Sequence, residues 1–170
     1  RKETGGRKTQ ARKTEKDFMN ISLDQLKKLR EETGAGVSDC RQALEDAGGD
    51  LKKAKKLIRQ RSVEKAAKKA DREASQGIIE SYVHATGTVG VLVELRCETD
   101  FVARTDDFKT LAHELALQIA AMKPKTVKEL LAGSYIRDAS ITIEVVIKQT
   151  IAKVGENITV ARFTRMEMGE

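Results

Sequence analysis

The sequence predicts an α+β protein, a small three-helix bundle followed by an antiparallel three-stranded sheet packed with helices. Three observations carry that prediction. Between residues 22 and 60, three runs with apolar residues at helical spacing are punctuated by glycines at 34, 36, 48 and 49. From 78 to 97, apolar residues alternate on both sides of Thr86-Gly87-Thr88, the pattern of a hairpin. A long apolar stripe at helical spacing then runs from 106 to 122, and a β-rich run from 158 to 168 supplies a third strand.

Taken in order, residues 1–17 form a Thr/Lys/Gly-rich basic tail with almost nothing to bury, and disorder is expected there. Residues 18–60 form the three-helix module. Ser22 with Gln25 reads as a capping box ahead of Leu23, Leu26 and Leu29. Gly34 and Gly36 end that helix, and Ser38 is the expected cap of a second one carrying Cys40, Ala43, Leu44 and Ala47, closed by Gly48-Gly49. Asp50 caps a third, with Leu51, Ala54, Leu57 and Ile58 inward. Residues 61–76 hold few large apolar side chains and read as a solvated helical linker. Residues 77–170 make up the α+β core domain.

Within that domain, strands are expected over 78–85 and 89–97, with Val89, Val91, Val93, Leu95 and Cys97 facing the core and Glu94 and Arg96 facing away. The helix over 106–122 places Phe108, Leu111, Ala112, Leu115, Ile119 and Met122 on one stripe and ends at Pro124. One or two helical turns over 126–131, a loop over 133–140, a helix over 141–154 stopped by Gly155-Glu156-Asn157, and the last strand complete the chain.

The junction after the second strand carries the most chemistry. Thr99-Asp100 is turn-forming, and it is followed at once by Phe101 and Val102. A large apolar residue at such a turn is ordinarily core, folded back under the next helix. The alternative is a wedge presented to a partner.

Enzymatic readings find little support. Gly34-Ala35-Gly36 follows a helical run, and no Gly-Lys-Ser/Thr ending of a phosphate loop occurs anywhere. His84 and His113 stand without ligand spacing, and a nucleophile pair of Cys40 or Cys97 with His84 is the weakest option considered. Two distant cysteines make neither a disulfide framework nor a zinc site, so both read as reduced, buried residues. No metal or cofactor is expected. No apolar run approaches a span of about 18 residues, so no membrane partner is expected, and the opening residues lack the apolar centre of a secretory signal. The expected location is cytoplasmic, with mitochondrion or plastid as alternatives.

Three segments together resemble one family. Cys97-Glu98-Thr99-Asp100-Phe101-Val102-Ala103-Arg104 resembles the signature of elongation factor Ts, the guanine-nucleotide exchange factor for the GTPase elongation factor Tu. Leu29 to Leu44, with Gly34, Ala35, Gly36, Val37, Asp39, Cys40 and Ala43 between them, is similar to that family's amino-terminal module, which resembles ubiquitin-associated domains. Ile151-Ala152-Lys153-Val154-Gly155-Glu156-Asn157-Ile158 resembles its carboxy-terminal end. The resemblance implies a binding factor that performs no bond chemistry, engages elongation factor Tu in its GDP-bound and nucleotide-free forms, and promotes GDP release. It implies that Thr99 to Arg104, above all Asp100 and Phe101, enter the partner's GTPase domain and disturb its Mg²⁺ and phosphate site. It also implies that Leu29 to Leu44 grip the same domain and that His84, in Ser81-Tyr82-Val83-His84, approaches the partner. The chain departs from the pattern with Arg96 where Asn is usual and with a short connection between Pro124 and Ile141 where the family has a helix-rich insertion. Many members carry a second sheet module, so a homodimer supplying the missing half is an open alternative here.

Charge leaves a second functional reading open. Residues 1–16 hold seven Lys or Arg against Glu3 and Glu15, and residues 52–72 hold ten against Glu64 and Asp71, within a net charge of +6. RNA contact through the basic tail, or a ribosome-associated role, would use such segments. The basic segments lack interleaved aromatics, since Phe18 is the only aromatic before Tyr82, so no base-stacking platform is evident.

Overall fold

The computed structural model describes residues 21–169. The basic tail and the RNA contact expected of it lie outside the described residues. The bundle consists of α1 (Leu23–Thr33), α2 (Val37–Asp46) and α3 (Leu51–Ala67). The α1 cap is the predicted box: Ser22 Oγ accepts from the Asp24 amide at 3.2 Å, and Gln25 Oε1 accepts from the Ser22 amide at 3.3 Å. Asp50 caps α3 by accepting from the Lys52 and Lys53 amides at 2.8 and 3.1 Å. The cap expected at Ser38 is not there. Gly36 holds the N-cap position of α2 and makes no side-chain cap bond, while Ser38 already lies inside the helix. The helix starts earlier because the extended backbone of Gly36 comes only two residues after Gly34, which closes α1 at φ 65°. Leu29, Cys40, Ala43, Leu44, Ala54 and Ile58 form the bundle core.

A second departure concerns residues 61–76. The expected linker is helical up to Ala67 as the continuation of α3, and it buries Ser62 and Ala66 while its other residues stay exposed or half-buried. Small side chains explain this, since they let α3 lie close against a later helix, and Ser62 Oγ returns its hydrogen bond to the Ile58 carbonyl at 2.9 Å. Ala66 belongs to the core of the following domain, so one helix serves both.

The sheet runs in the order β1-β2-β5, all antiparallel, from β1 (Gln76–Val83), β2 (Val89–Cys97) and β5 (Ile158–Glu167). The first strand begins two residues earlier than expected. A Cβ on Gly77 would sit 2.1 Å from the Leu95 carbonyl oxygen, so the close approach of β1 to β2 requires glycine there. Val91, Val93, Leu95 and Cys97 alternate into the core, and Phe108, Leu111, Leu115 and Ile119 of α5 (Asp106–Met122) cover them. Between β2 and α5 lies α4 (Asp100–Ala103), a single helical turn where a loop was expected. The remaining elements are α6 (Val127–Ala132), the short ribbon β3 (Ser134–Tyr135) and β4 (Asp138–Thr142), and α7 (Ile143–Val154). The ribbon replaces the loop expected over 133–140, because Ser134 pairs with Thr142 and Tyr135 with Asp138.

The opposite face of the sheet carries Glu94 between Arg96 and Arg162, each donating through Nε at 2.7 Å. The hydrogen bond from Arg162, then that from Arg96, holds the Glu94 carboxyl below the usual range. The same face leaves Ile79, Val83, Leu92 and Met166 exposed.

Candidate functional site

Thr99 starts α4 as its N-cap, with its hydroxyl oxygen accepting from the Val102 amide at 3.4 Å. Helical phase then sorts the following side chains. Val102 is half-buried against the core and Ala103 is buried, whereas Asp100, Phe101 and Arg104 lie on the outer side. Phe101 is 79% exposed, which removes the core reading of this residue. A phenyl ring held outward on an ordered turn has lost little of its apolar surface to folding, so most of it is available to a partner. Beside it, the Asp100 carboxylate accepts from Arg104 Nη2 at 2.8 Å, one turn along. The pair is exposed and adds little to folding.

The turn is held from behind. Glu156 Oε2 accepts from the Thr99 amide at 2.9 Å, and Oε1 accepts from the Thr99 hydroxyl at 2.6 Å. Cys97, fully buried, donates its thiol to the Thr99 carbonyl at 3.1 Å. Burial first, and then the charge of Glu156, pushes the Cys97 thiol up to about 11. Next to it, Glu98 Oε1 accepts from the Asn157 amide at 2.6 Å and faces Arg72 at 3.6 Å.

The amino-terminal candidates divide into two groups. Leu29, Cys40, Ala43 and Leu44 are fully buried and build the bundle, so they act through its shape. Gly34, Ala35, Gly36 and Val37 form the surface turn between α1 and α2, with Val37 49% exposed. Thr33 Oγ1 fixes that turn by donating to the Leu29 carbonyl at 2.6 Å and accepting from the Ala35 amide at 3.3 Å. Asp39 pairs with Lys65 of α3 at 2.8 Å. A cleft of about 300 Å³ separates this turn from α7, with Arg30, Arg61, Lys65 and Lys153 among its walls.

His84 lies just past the end of β1, not within a strand, and accepts or donates at Nδ1 to the Tyr82 hydroxyl at 2.9 Å. The register pairs Val83 with Gly90 and Gln76 with Cys97, so His84 and Phe101 stand at opposite ends of the hairpin. At about 3.3 Å per residue the strand between those ends spans about 26 Å. The register also separates His84 from Cys97, and Cys40 sits in the other core, so no Cys-His nucleophile pair forms among these three residues. His113 meets Glu80 at 3.1 Å. Among the described residues, no group of His, Cys, Asp and Glu is placed to hold a metal ion, and no helix is long and apolar enough to cross a membrane.

The sequence marks Glu156 and Asn157 as a helix stop and as part of the segment that resembles the family's carboxy-terminal end, with no contact assigned to either. Their spacing of nearly sixty residues from Thr99 left no local signal that a carboxylate there would reach back to the turn.

The profile of the family described as Elongation factor TS matches residues 98–170. Elongation factor Ts of Coprothermobacter proteolyticus is 44% identical over 197 aligned residues, covering 89% of this chain and 100% of the relative. That of Fervidobacterium nodosum is 43% identical with the same coverage. That of Rippkaea orientalis is 41% identical over 88% of this chain and 79% of the relative. The alignments are longer than the whole chain, so the relatives carry internal residues that this chain lacks.

Proposed function

Because the chain belongs to the elongation factor Ts family, we propose that it is a translation elongation factor that binds elongation factor Tu and promotes GDP release. The observation that carries this reading is Phe101, 79% exposed on a turn whose backbone is otherwise fixed. Release needs no bond chemistry. A factor that binds the nucleotide-free partner more tightly than the GDP-bound one lowers the partner's hold on GDP by the same free energy. In this proposal Phe101 and Asp100 supply the difference, because their contacts form only where the partner's Mg²⁺ and phosphate site has opened. The Gly34–Val37 turn supplies affinity common to both states, and His84 makes a separate contact at the far end of the hairpin.

The charge distribution supports a protein partner over RNA. Lys55, Arg59, Arg61 and Lys65 of α3 are paired with Glu32, Asp138, Asp46 and Asp39. Much of the basic run is thus neutralised within the fold, which weakens the electrostatic term that dominates RNA binding. The deciding experiment is release of a fluorescent GDP from elongation factor Tu with and without the protein. Acceleration that saturates with the factor is expected, and an unchanged rate with retention on RNA at physiological salt would reverse the reading.

Self-association is the second part of the proposal. Val83 and Met166 flank Gly90 across the sheet, Leu92 lies in the next row on that face and Ile79 in the row beyond it beside Glu94, so the exposed apolar residues share one face. A second copy related by a twofold axis covers such a face with its own. Light scattering at micromolar concentration should give twice the chain mass, and Leu92→Asp should restore the monomer. A wild-type monomer at that concentration removes this part.

A further inference from the structure

The segment Ile151–Ile158 has no role in the exchange reading, yet the end of α7 and the residues just after it touch both the α4 turn and the bundle turn that this reading uses. We infer that residues 153–157 are the positioning joint of that surface, with Glu156 orienting the α4 turn and Lys153 and Asn157 fixing it relative to the bundle. The inference rests on the proposed exchange function. It also stands on geometry that can be tested without a partner.

A helix of four residues such as α4 is far too short to hold itself, since nucleation alone is unfavourable. Phe101 contributes no packing to it, and Asp100 with Arg104 is an exposed pair. Order must come from Val102 and Ala103 on the inner side and from the cap. Glu156 fixes the cap at two points, because its two oxygens take the amide and the hydroxyl proton of one residue, Thr99. With its proton committed to Glu156, the Thr99 hydroxyl keeps its lone pairs for the Val102 amide, which is the cap itself. One hydrogen bond would leave rotation about its axis, whereas two to a carboxylate set a plane.

The neighbouring residues tie this turn to the bundle. Asn157, 4% exposed, donates its side-chain amide to the carbonyls of Ala70 and Arg72, at 3.2 and 2.7 Å, just beyond the end of α3. Its backbone amide donates to Glu98, the residue before Thr99. Lys153 donates to Asp107 in the first turn of α5 at 2.5 Å, and its side chain lies against Gly34 of the bundle turn. Ending α7 requires only the left-handed Gly155, φ 86°. The side chains of 153, 156 and 157 are not needed for that stop, yet Glu156 reaches the α4 turn, Lys153 the bundle turn and Asn157 the segment just beyond α3.

The test uses the full chain carrying Glu156→Ala, Glu156→Gln or Thr99→Ser. In the isolated protein, Glu156→Ala should speed amide hydrogen exchange at residues 100–104 about tenfold or more while the amides of β2 and α5 keep their protection. Thr99→Ser keeps both donors and should behave as wild type. In release of fluorescent GDP from elongation factor Tu, Glu156→Ala should lower the saturating rate about tenfold or more, with Glu156→Gln intermediate. The half-saturating concentration should move less than about threefold, since the bundle contact is untouched. Added to Phe101→Ala, the same change should cost less than about twofold, because the group being oriented is already gone. Unchanged protection at 100–104 in Glu156→Ala, or protection lost evenly across the fold, overturns the joint whatever the release assay gives. A wild-type protein that does not accelerate release overturns the exchange function instead, and the amide data still decide the joint.

Discussion

The exposed and the buried phenylalanine that flank the start of α5 separate function from folding at the level of single residues. Phe101 is 79% exposed and Phe108 fully buried, seven positions apart. Phe101→Ala should therefore leave the free protein's stability within about 1 kcal/mol while weakening exchange by about 2 kcal/mol or more, the scale of an interface hot spot. Phe108→Ala should instead cost about 3 to 5 kcal/mol of stability. Thermal melts beside release assays read both, and a large loss of stability in Phe101→Ala would falsify the wedge. Cys97 gives a prediction in pH. Its thiol is raised to about 11, whereas an unfolded thiol titrates at about 8.5. The raised group's stability is fully present below the unfolded value and is lost as pH rises toward 11, because the unfolded chain releases the proton first. Melts from pH 8 to 11 should fall, and Cys97→Ala should make that part of the profile less steep, with the Cys40 thiol, also pushed up by burial, keeping the remainder. The native thiol should also resist alkylation at pH 8, since little thiolate forms. Gly77→Ala should destabilise the sheet by about 1 to 3 kcal/mol, because the added carbon meets the Leu95 carbonyl and the backbone φ of 152° suits glycine alone.

Elements with a strong period were legible, and those fixed by partners far along the chain were not. The helix over 106–122 and the strand over 89–97 coincide with the expected bounds, since one-sided apolar stripes and strict alternation each specify a single answer. The linker was expected to be helical, but its burial was missed because Ser62 and Ala66 are too small to signal burial by hydrophobicity, and what buries Ala66 is packing against other elements of the core domain. The α4 turn was missed because its cap is completed by Glu156. The candidate site was legible in part: Thr99 to Arg104 stood out, but spacing alone favoured the wrong side for Phe101. Shared use of α3 also sharpens a truncation experiment. Removing residues 1–58 deletes the bundle core yet leaves Ser62 and Ala66, so the fragment should keep a folded sheet with a lowered melting temperature. It should bind elongation factor Tu weakly, having lost the turn at Gly34–Val37. A fragment that releases GDP at the full chain's rate and concentration dependence would show that the bundle adds nothing.

For the molecule as a whole, the decisive quantity is coupling between two ligands of one partner. The bundle turn and the α4 turn are joined through the end of α7, by Lys153 to Asp107 and by Asn157 to Ala70 and Arg72, so the chain presents both contacts at a set spacing. A rigid pair of contacts loses less ordering entropy on binding than a hinged one, and more of the contact energy is then available to favour one state of the partner. If that favoured state is the nucleotide-free one, reciprocity fixes the consequence: the factor weakens GDP by some ratio, and GDP must weaken the factor by the same ratio. Titrating GDP with Mg²⁺ into the preformed complex should dissociate it, and the two apparent affinities should close a thermodynamic cycle. Phe101→Ala should shrink the ratio from both directions equally while the binding common to both states persists. A complex that survives saturating GDP, or a ratio that differs between the two directions at equilibrium, would mean that the protein binds elongation factor Tu without distinguishing its nucleotide states.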